Sequence, residues 1–180
     1  MPDARIERTR AALTSAVLRL LGERDFAAIT IADIVAAAGV GYTTFFRHYE
    51  GKEELLLDAS DRLTDALLPS LLPVLQGDDT RGVALAICRH VEAHGDAFAA
   101  LLSAAGEPRV QRLLVERGIA RAASIGLPDP PGLPPDLAIA FAVQAVQGLL
   151  SWWLHADRRL PASEMAAIID RLVITPVRKG

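Results

Sequence analysis

Between Thr30 and Leu56 the sequence TIADIVAAAGVGYTTFFRHYEGKEELL sets two short helical patterns on either side of the pair Gly39-Val40, and few folds accommodate that arrangement. Thr30 precedes the apolar positions Ile31, Ile34 and Val35 and has Asp33 three residues on, an N-cap with an acid in the first helical turn. The helix is expected to stop at Gly39, where glycine supplies a positive φ, and Val40 plugs the core ahead of a second short helix from Gly41 to Tyr49. This is a helix-turn-helix plan, in which the second helix enters the major groove of DNA. Two helices this short are not stable alone. Their neighbours must complete the core through Leu13, Val17, Phe45 and Leu55. An ordinary helical hairpin is the competing reading.

The flanking sequence is helical throughout. Ile6, Leu13, Val17 and Leu20, with Ala16 filling the same face, follow the 3.6-residue period from Asp3 to Leu21, and Gly22 ends that helix. Phe26 and Ile29 pack from the link. A helix from Lys52 runs toward Leu72, where Pro69 and Pro73 bend or end it. After a polar break from Gln76 to Thr80, a helix opening at Thr80 carries Val83, Leu85, Ile87 and Val91. A short helix spans Asp96 to Ala104, and one starting near Pro108 carries Val110, Leu113, Leu114 and Ile119 to about Ile125. LPDPPGLPPD, Leu127 to Asp136, sets five prolines within eight residues and reads as an extended connector.

Asp136 to Ala156 has apolar or small residues on almost every face, including Phe141, Ala145, Gly148 and Trp152 on one side. Such a helix must be covered on more than its own domain's side. Pro161 opens a final helix with Met165, Ile168, Ile169 and Leu172, and this pair packed on its symmetry mate would make a four-helix interface in a homodimer.

Charge neither demands nor forbids a nucleic acid. The formal net charge is −3, and six arginines balance six acids in the first fifty residues. Arg5, Arg8 and Arg10 at one end, with Arg47, His48 and Lys52 after the turn, make a modest basic footprint if the fold brings them together. The single cysteine, Cys88, excludes an internal disulfide. No uncharged apolar run approaches roughly 20 residues, so Ala138 to Leu154 reads as a buried helix. The start, MPDARIERTR, lacks the apolar core of a secretory signal. A soluble, cytoplasmic protein without a membrane partner is expected. His90 and His94 have metal-ligand spacing, with Glu92 and Asp96 close by, but no third ligand is evident in the sequence. Ser103 and Ser124 lack histidine–acid partners, and there is no glycine-rich nucleotide loop. Neither a metal, a cofactor nor an enzymatic activity is expected.

The stretch TIADIVAAAGVGYTTFFRHYEGKEELLLDA, Thr30 to Ala59, resembles the signature of the TetR family of transcriptional repressors. It couples the turn glycine, an aromatic recognition helix and a Lys-Glu-Glu-Leu helix start, over about the first third of the chain. The resemblance implies an all-α fold: a three-helix DNA-binding domain, residues 1–51, then a larger helical ligand-binding and dimerisation domain, residues 52–180, with the helix from 52 as connector. It places Gly41, Tyr42 and Thr43 at the groove-facing start of the recognition helix, and Thr44, His48 and Lys52 near phosphate, with Arg5 adding charge. Tyr42 suits a base contact, because its ring can touch a thymine methyl; lying along sugar is the alternative. Arg47 either sits on DNA or solvates the helix, and His48 either meets phosphate or stays at the surface. Two positions depart from the family pattern: Phe46 stands where a phosphate-reaching tyrosine is common, and Gly41 where serine or threonine is usual.

By the same resemblance, the expected function is a ligand-responsive regulator, a repressor that binds a palindromic operator in double-stranded DNA as a dimer and is released by an organic small molecule. Cys88, Phe98, Leu101, Leu114, Phe141 and Trp152 are the candidate effector-lining residues, each of them equally readable as plain core. A helical protein-interaction module without specific DNA binding is the alternative.

Overall fold

The computed structural model describes residues 4–67, 79–124, 131–157 and 159–179, and those residues are helical with no strand among them. Helix α1, Ala4–Leu21, turns Leu13, Ala16, Val17, Leu20 and Leu21 inward. Ile6 is 44% exposed, because the first turns of α1 project past the helices that cover the rest of it. A single 3-10 turn, Phe26–Ala28, drops Phe26 into the core.

Helix α2, Ile31–Ala38, begins with a reciprocal cap in which Thr30 Oγ1 accepts the Asp33 N–H at 3.2 Å and the Thr30 N–H donates to Asp33 Oδ2 at 2.9 Å. It ends at Gly39, whose φ of +68° lets the Val40 N–H reach back to the Val35 carbonyl at 3.0 Å. Helix α3 is shorter than its sequence pattern suggests: regular helix covers Tyr42–Phe46, and the chain continues as a turn in which the His48 and Tyr49 N–H groups both donate to the Phe45 carbonyl. Helix α4, Lys52–Asp65, buries Leu55, Leu56 and Ala59. Pro69, Pro73 and the break after Gln76 lie outside the described residues up to Asp79.

The remaining helices are α5, Thr80–Ala93, α6, Gly95–Ala104, α7, Pro108–Ser124, α8, Pro135–His155, and α9, Ala162–Ile169, which runs through a π-helical turn, Asp170–Ile174, into α10, Thr175–Lys179. Asp79, one residue before the expected start, caps α5 by accepting the Gly82 N–H at 2.8 Å. Residues 127–130 of the proline-rich connector lie outside the described set; Pro134 and Pro135 form the entry to α8.

Two apolar cores organise these helices. The first joins α1 to α4 through Leu13, Val17, Ile34, Phe45 and Leu55, and continues into Ala100, Leu101 and Ala104 of α6 and Val110 and Leu114 of α7. The second gathers Ala84, Cys88 and Val91 of α5, Phe98 of α6, Leu150 and Trp153 of α8, and Met165, Ala166 and Ile169 of α9. Trp153 is fully buried, and its indole N–H donates to the Leu160 carbonyl at 2.7 Å. Helices α7 and α8 meet tightly at Gly118, where an added Cβ would stand 2.8 Å from a Val143 methyl.

Helix α8 corrects the reading of a buried helix. Its 21 residues include an 18-residue stretch of mean hydropathy 1.6, long and apolar enough to cross a membrane, since Gln144, Gln147 and Ser151 interrupt the run without lowering its average far. In this fold it packs on α6 and α7 instead. Only Ala138, Leu150 and Trp153 are buried in the single chain. Leu137, Phe141 and Trp152 are each more than half exposed, and with Gln144 and Gly148 they form one outward stripe at helical spacing.

Candidate nucleic-acid interface

Helix α3 is held by one face and open on the other. Phe45, with no exposed surface, and Tyr49, one turn on, point into the first core, which fixes the rotation of the helix. Gly41, Tyr42, Thr43, Phe46 and Arg47 are consequently exposed, and Thr44 and His48 are half-buried at the margin. Gly41 has an extended backbone, φ −85° and ψ 155°, and a Cβ there would meet nothing within 4 Å. The fold therefore does not require glycine at the cap. Phe46 is 53% exposed rather than packed inward.

Behind this face a polar cluster ties α1, the turn after α3 and α4 together. Asp58 accepts hydrogen bonds from Arg10 at 2.5 Å, from the Tyr49 hydroxyl at 2.5 Å and from Arg62 at 3.2 Å, and Arg62 also donates to Glu7 at 2.5 Å. Burial pushes the Asp58 carboxyl up, but the hydrogen bonds from Tyr49, Arg62 and Arg10 outweigh it and hold the group below the usual carboxylate range. The Tyr49 hydroxyl is pushed up to about 12, first by burial and then by its bond to Asp58. Arg10, read from sequence as part of the basic footprint, is thus engaged internally. Arg5, exposed in the first turns of α1, and Arg47 remain on the surface.

Lys52 also points away from the role expected of it. Its ammonium donates to the carbonyls of Phe26 at 2.7 Å and Ile29 at 2.8 Å, with the Ala27 carbonyl at 3.4 Å, and lies 4.5 Å from the Phe26 ring centre. The Phe26 carbonyl also accepts the Ile29 N–H at 3.2 Å within the 3-10 turn, so the lysine adds a charged donor to carbonyls gathered at the end of that turn. In this arrangement Lys52 anchors the link between α1 and α2 to the start of α4 and does not reach outward to phosphate.

A model of bacterial regulatory proteins of the TetR family matches residues 13–59, which contain the inward half of α1, both helices of the motif and the start of α4. YxbF of Bacillus subtilis (strain 168), an uncharacterised helix-turn-helix transcriptional regulator, is 36% identical over 188 residues, covering 99% of this chain and 42% of the relative. Among solved structures, a TetR transcriptional regulator from Streptococcus agalactiae 2603V superimposes with a TM-score of 0.61 at 26% identity, covering 96% of this chain and 97% of that one. Residues 13–59 thus resemble the TetR family's DNA-binding unit, and the chain as a whole shares the fold of solved TetR regulators. NalD of Pseudomonas aeruginosa, described as the secondary repressor of the MexAB-OprM multidrug efflux pump, shares the fold with a TM-score of 0.62 at 19% identity, over 96% of this chain and 97% of NalD. The chain spans less than half the length of YxbF. The matching family and these relatives are described as regulators.

Within this TetR-like fold the six candidate effector-lining residues do not converge. Cys88 and Phe98 belong to the second core, Leu101 and Leu114 to the first, and Phe141 and Trp152 lie on the exposed stripe of α8. Apolar identity alone does not separate core from cavity wall. The Cys88 thiol is pushed up to about 11, by burial first and by the Glu92 charge second, so the thiolate needed for redox sensing is scarce at neutral pH. His90 and His94 stack 4.5 Å apart, with His90 Nε2 2.7 Å from the Leu63 carbonyl and His94 Nδ1 3.0 Å from the His90 carbonyl. A recess of about 390 Å³ opens between α7 and α8, lined by Pro108, Gln111, Arg112, Val115, Glu116 and Gln144. Sequence reasoning missed both this recess and the Asp58 cluster. The recess takes Pro108, Gln111, Arg112, Val115 and Glu116 from one face of α7, a spacing open to sequence reading, but Gln144 comes from α8; the Asp58 cluster draws on separate elements, with only the i, i+4 pair Asp58–Arg62 legible from spacing.

Proposed function

We propose that the chain is a transcriptional regulator that binds a palindromic operator in double-stranded DNA as a homodimer, acts as a repressor and is released by a small organic effector. The observation that carries this reading is the outward face of α3, presenting Gly41, Tyr42, Thr43, Phe46 and Arg47 while Phe45 and Tyr49 lock the helix from behind. A helix so held can keep one register in the major groove, with base edges read by Tyr42 and Thr43 and the backbone gripped by Thr44, Arg47, His48 and Arg5. The apolar stripe of α8, with Leu172 exposed beyond α9, supports self-association, because a partner copy would remove it from water. The repressor direction is supported by the description of NalD as a repressor.

The effector site is proposed to lie in the helical region after α4, where the recess between α7 and α8 is an open groove lined mainly by polar side chains, with Gln144 shared with the α8 stripe. An effector there would act by preferring the arrangement of reading heads that does not fit the operator. Selection of bound duplexes from a random pool, followed by mobility shift, tests the core of the proposal. Arg47→Ala and Arg5→Ala should weaken selected and unrelated duplexes alike, whereas Tyr42→Ala should change which bases are preferred. Equal binding by all variants, or no selected sequence, would sink it in favour of a helical protein-interaction module.

A further inference from the structure

Tyr42 and Phe46 are one turn apart on α3, 49% and 53% exposed, with ring centres 5.8 Å apart and ring planes inclined by 36°. They make a continuous aromatic surface on the face that the proposed function turns toward DNA. Phe46 is not a loose ring: it stands edge-on to the buried Phe45 at 5.3 Å and 81°, so the residue that anchors α3 also fixes where Phe46 points. Phenylalanine has no polar atom to offer a phosphate or a base edge. Leaving two large apolar rings side by side in water is unfavourable unless something apolar covers them.

The major groove offers one apolar feature that varies with sequence, the 5-methyl group of thymine. We propose that Phe46 and Tyr42 act as a pair that reads thymine methyl groups, with Phe46 determining specificity instead of gripping the backbone. The ring separation covers roughly two base-pair steps at about 3.4 Å each, so the half-site should carry two thymines adjacent or one position apart. The exposed cap at Gly41, without a side chain, leaves room for the start of α3 to come close to the bases, which the rings require. This inference rests on the DNA-binding reading above.

The test uses the whole chain and the half-site recovered by selection from random duplexes. Each thymine in that half-site is replaced singly by deoxyuridine, which removes only the methyl group, and affinity is measured for the parent protein, Phe46→Ala and Phe46→Leu. At two neighbouring positions the parent should lose about fourfold affinity per methyl, the size of one buried CH₂ group. Phe46→Ala should bind more weakly overall and be indifferent to deoxyuridine at one of those positions, while Phe46→Leu keeps part of the sensitivity. Because Phe46 rests partly on Phe45, Phe46→Ala should melt somewhat below the parent and Phe46→Leu nearer to it, and affinities are compared at a temperature where all three are folded. A half-site in which no deoxyuridine changes affinity, or equal deoxyuridine sensitivity in Phe46→Ala and the parent, overturns the ring pair while leaving DNA binding intact. Recovery of no preferred duplex overturns the DNA-binding reading and this inference with it.

Discussion

The first core and the face of α8 deal with their surfaces in opposite ways. Around α1, α3 and α4 the chain closes on itself: apolar residues meet inside, and the rim is stitched by Arg10, Tyr49, Asp58, Arg62 and Glu7, with Lys52 donating to the carbonyls of the 3-10 turn. Along α8 the chain stops short, leaving Leu137, Phe141 and Trp152 uncovered although Trp153, next to one of them, is wholly buried. The first region holds its reading helix in one orientation within a single copy. The second leaves an apolar side open, and in the proposed dimer that is where the two copies would meet.

This contrast can be attacked from both ends. The largest effect should come from Phe141→Glu with Trp152→Glu, which puts charges on the open stripe without touching either core. Light scattering should fall from about twice the 19.3 kDa chain to one chain, and operator affinity should fall with it. A parent that is already a monomer at micromolar concentration would break the comparison.

Asp58→Ala should come next, lowering stability by about 3 kcal/mol in chemical denaturation, because it strands Arg10, Arg62 and the Tyr49 hydroxyl in a partly buried site. The same group sets an acid dependence. Its folded-state pKa lies below the unfolded value, so its contribution is whole above the ordinary carboxylate range and is lost as pH falls through the depressed value. Acid titration of the parent should show this loss, and Asp58→Asn should flatten it.

Lys52→Met should cost about 2 kcal/mol by leaving the Phe26 and Ile29 carbonyls without their charged donor. If Lys52 instead reached phosphate, the change would leave stability alone and lower the salt dependence of DNA binding. Gly118→Ala should destabilise by about 1–2 kcal/mol, since the new methyl collides with the β-branched Val143 and pushes α7 from α8. Smallest of all, Gly41→Ser should alter stability by no more than a few tenths of a kcal/mol, because the backbone already suits a capping serine and the Cβ meets nothing.

What the chain order reveals tracks how local the physics is. The cap at Thr30, the stop at Gly39 and the inward set of Leu13, Val17 and Phe45 involve neighbours within a turn or two, and pattern alone places them. The Asp58 cluster and the Lys52 anchor bridge residues 9 to 55 apart, apart from the Asp58–Arg62 pair, so each side chain reads as an ordinary surface charge until the helices are packed. For α8 the abundance of apolar residues was plain. Which of them stay open was not, since that depends on where α6 and α7 lie against it. The effector candidates failed to gather for a related reason: Cys88, Leu101 and Phe141 have similar hydrophobic character, and only packing sends them to three different places.

The continuity of the first core into α6 and α7 has a practical consequence for anyone wishing to exchange operators between regulators. Ala100, Leu101, Ala104, Val110 and Leu114 cover the inner side of the reading head as its own residues do. A hybrid joined at residue 51, or even after 67, would set the transplanted head on a foreign floor with mismatched contours. A working chimera has to carry those five positions across with the head, so the transferable unit is discontinuous in sequence: 1–67 together with the facing turns of two helices that begin some thirty to forty residues downstream.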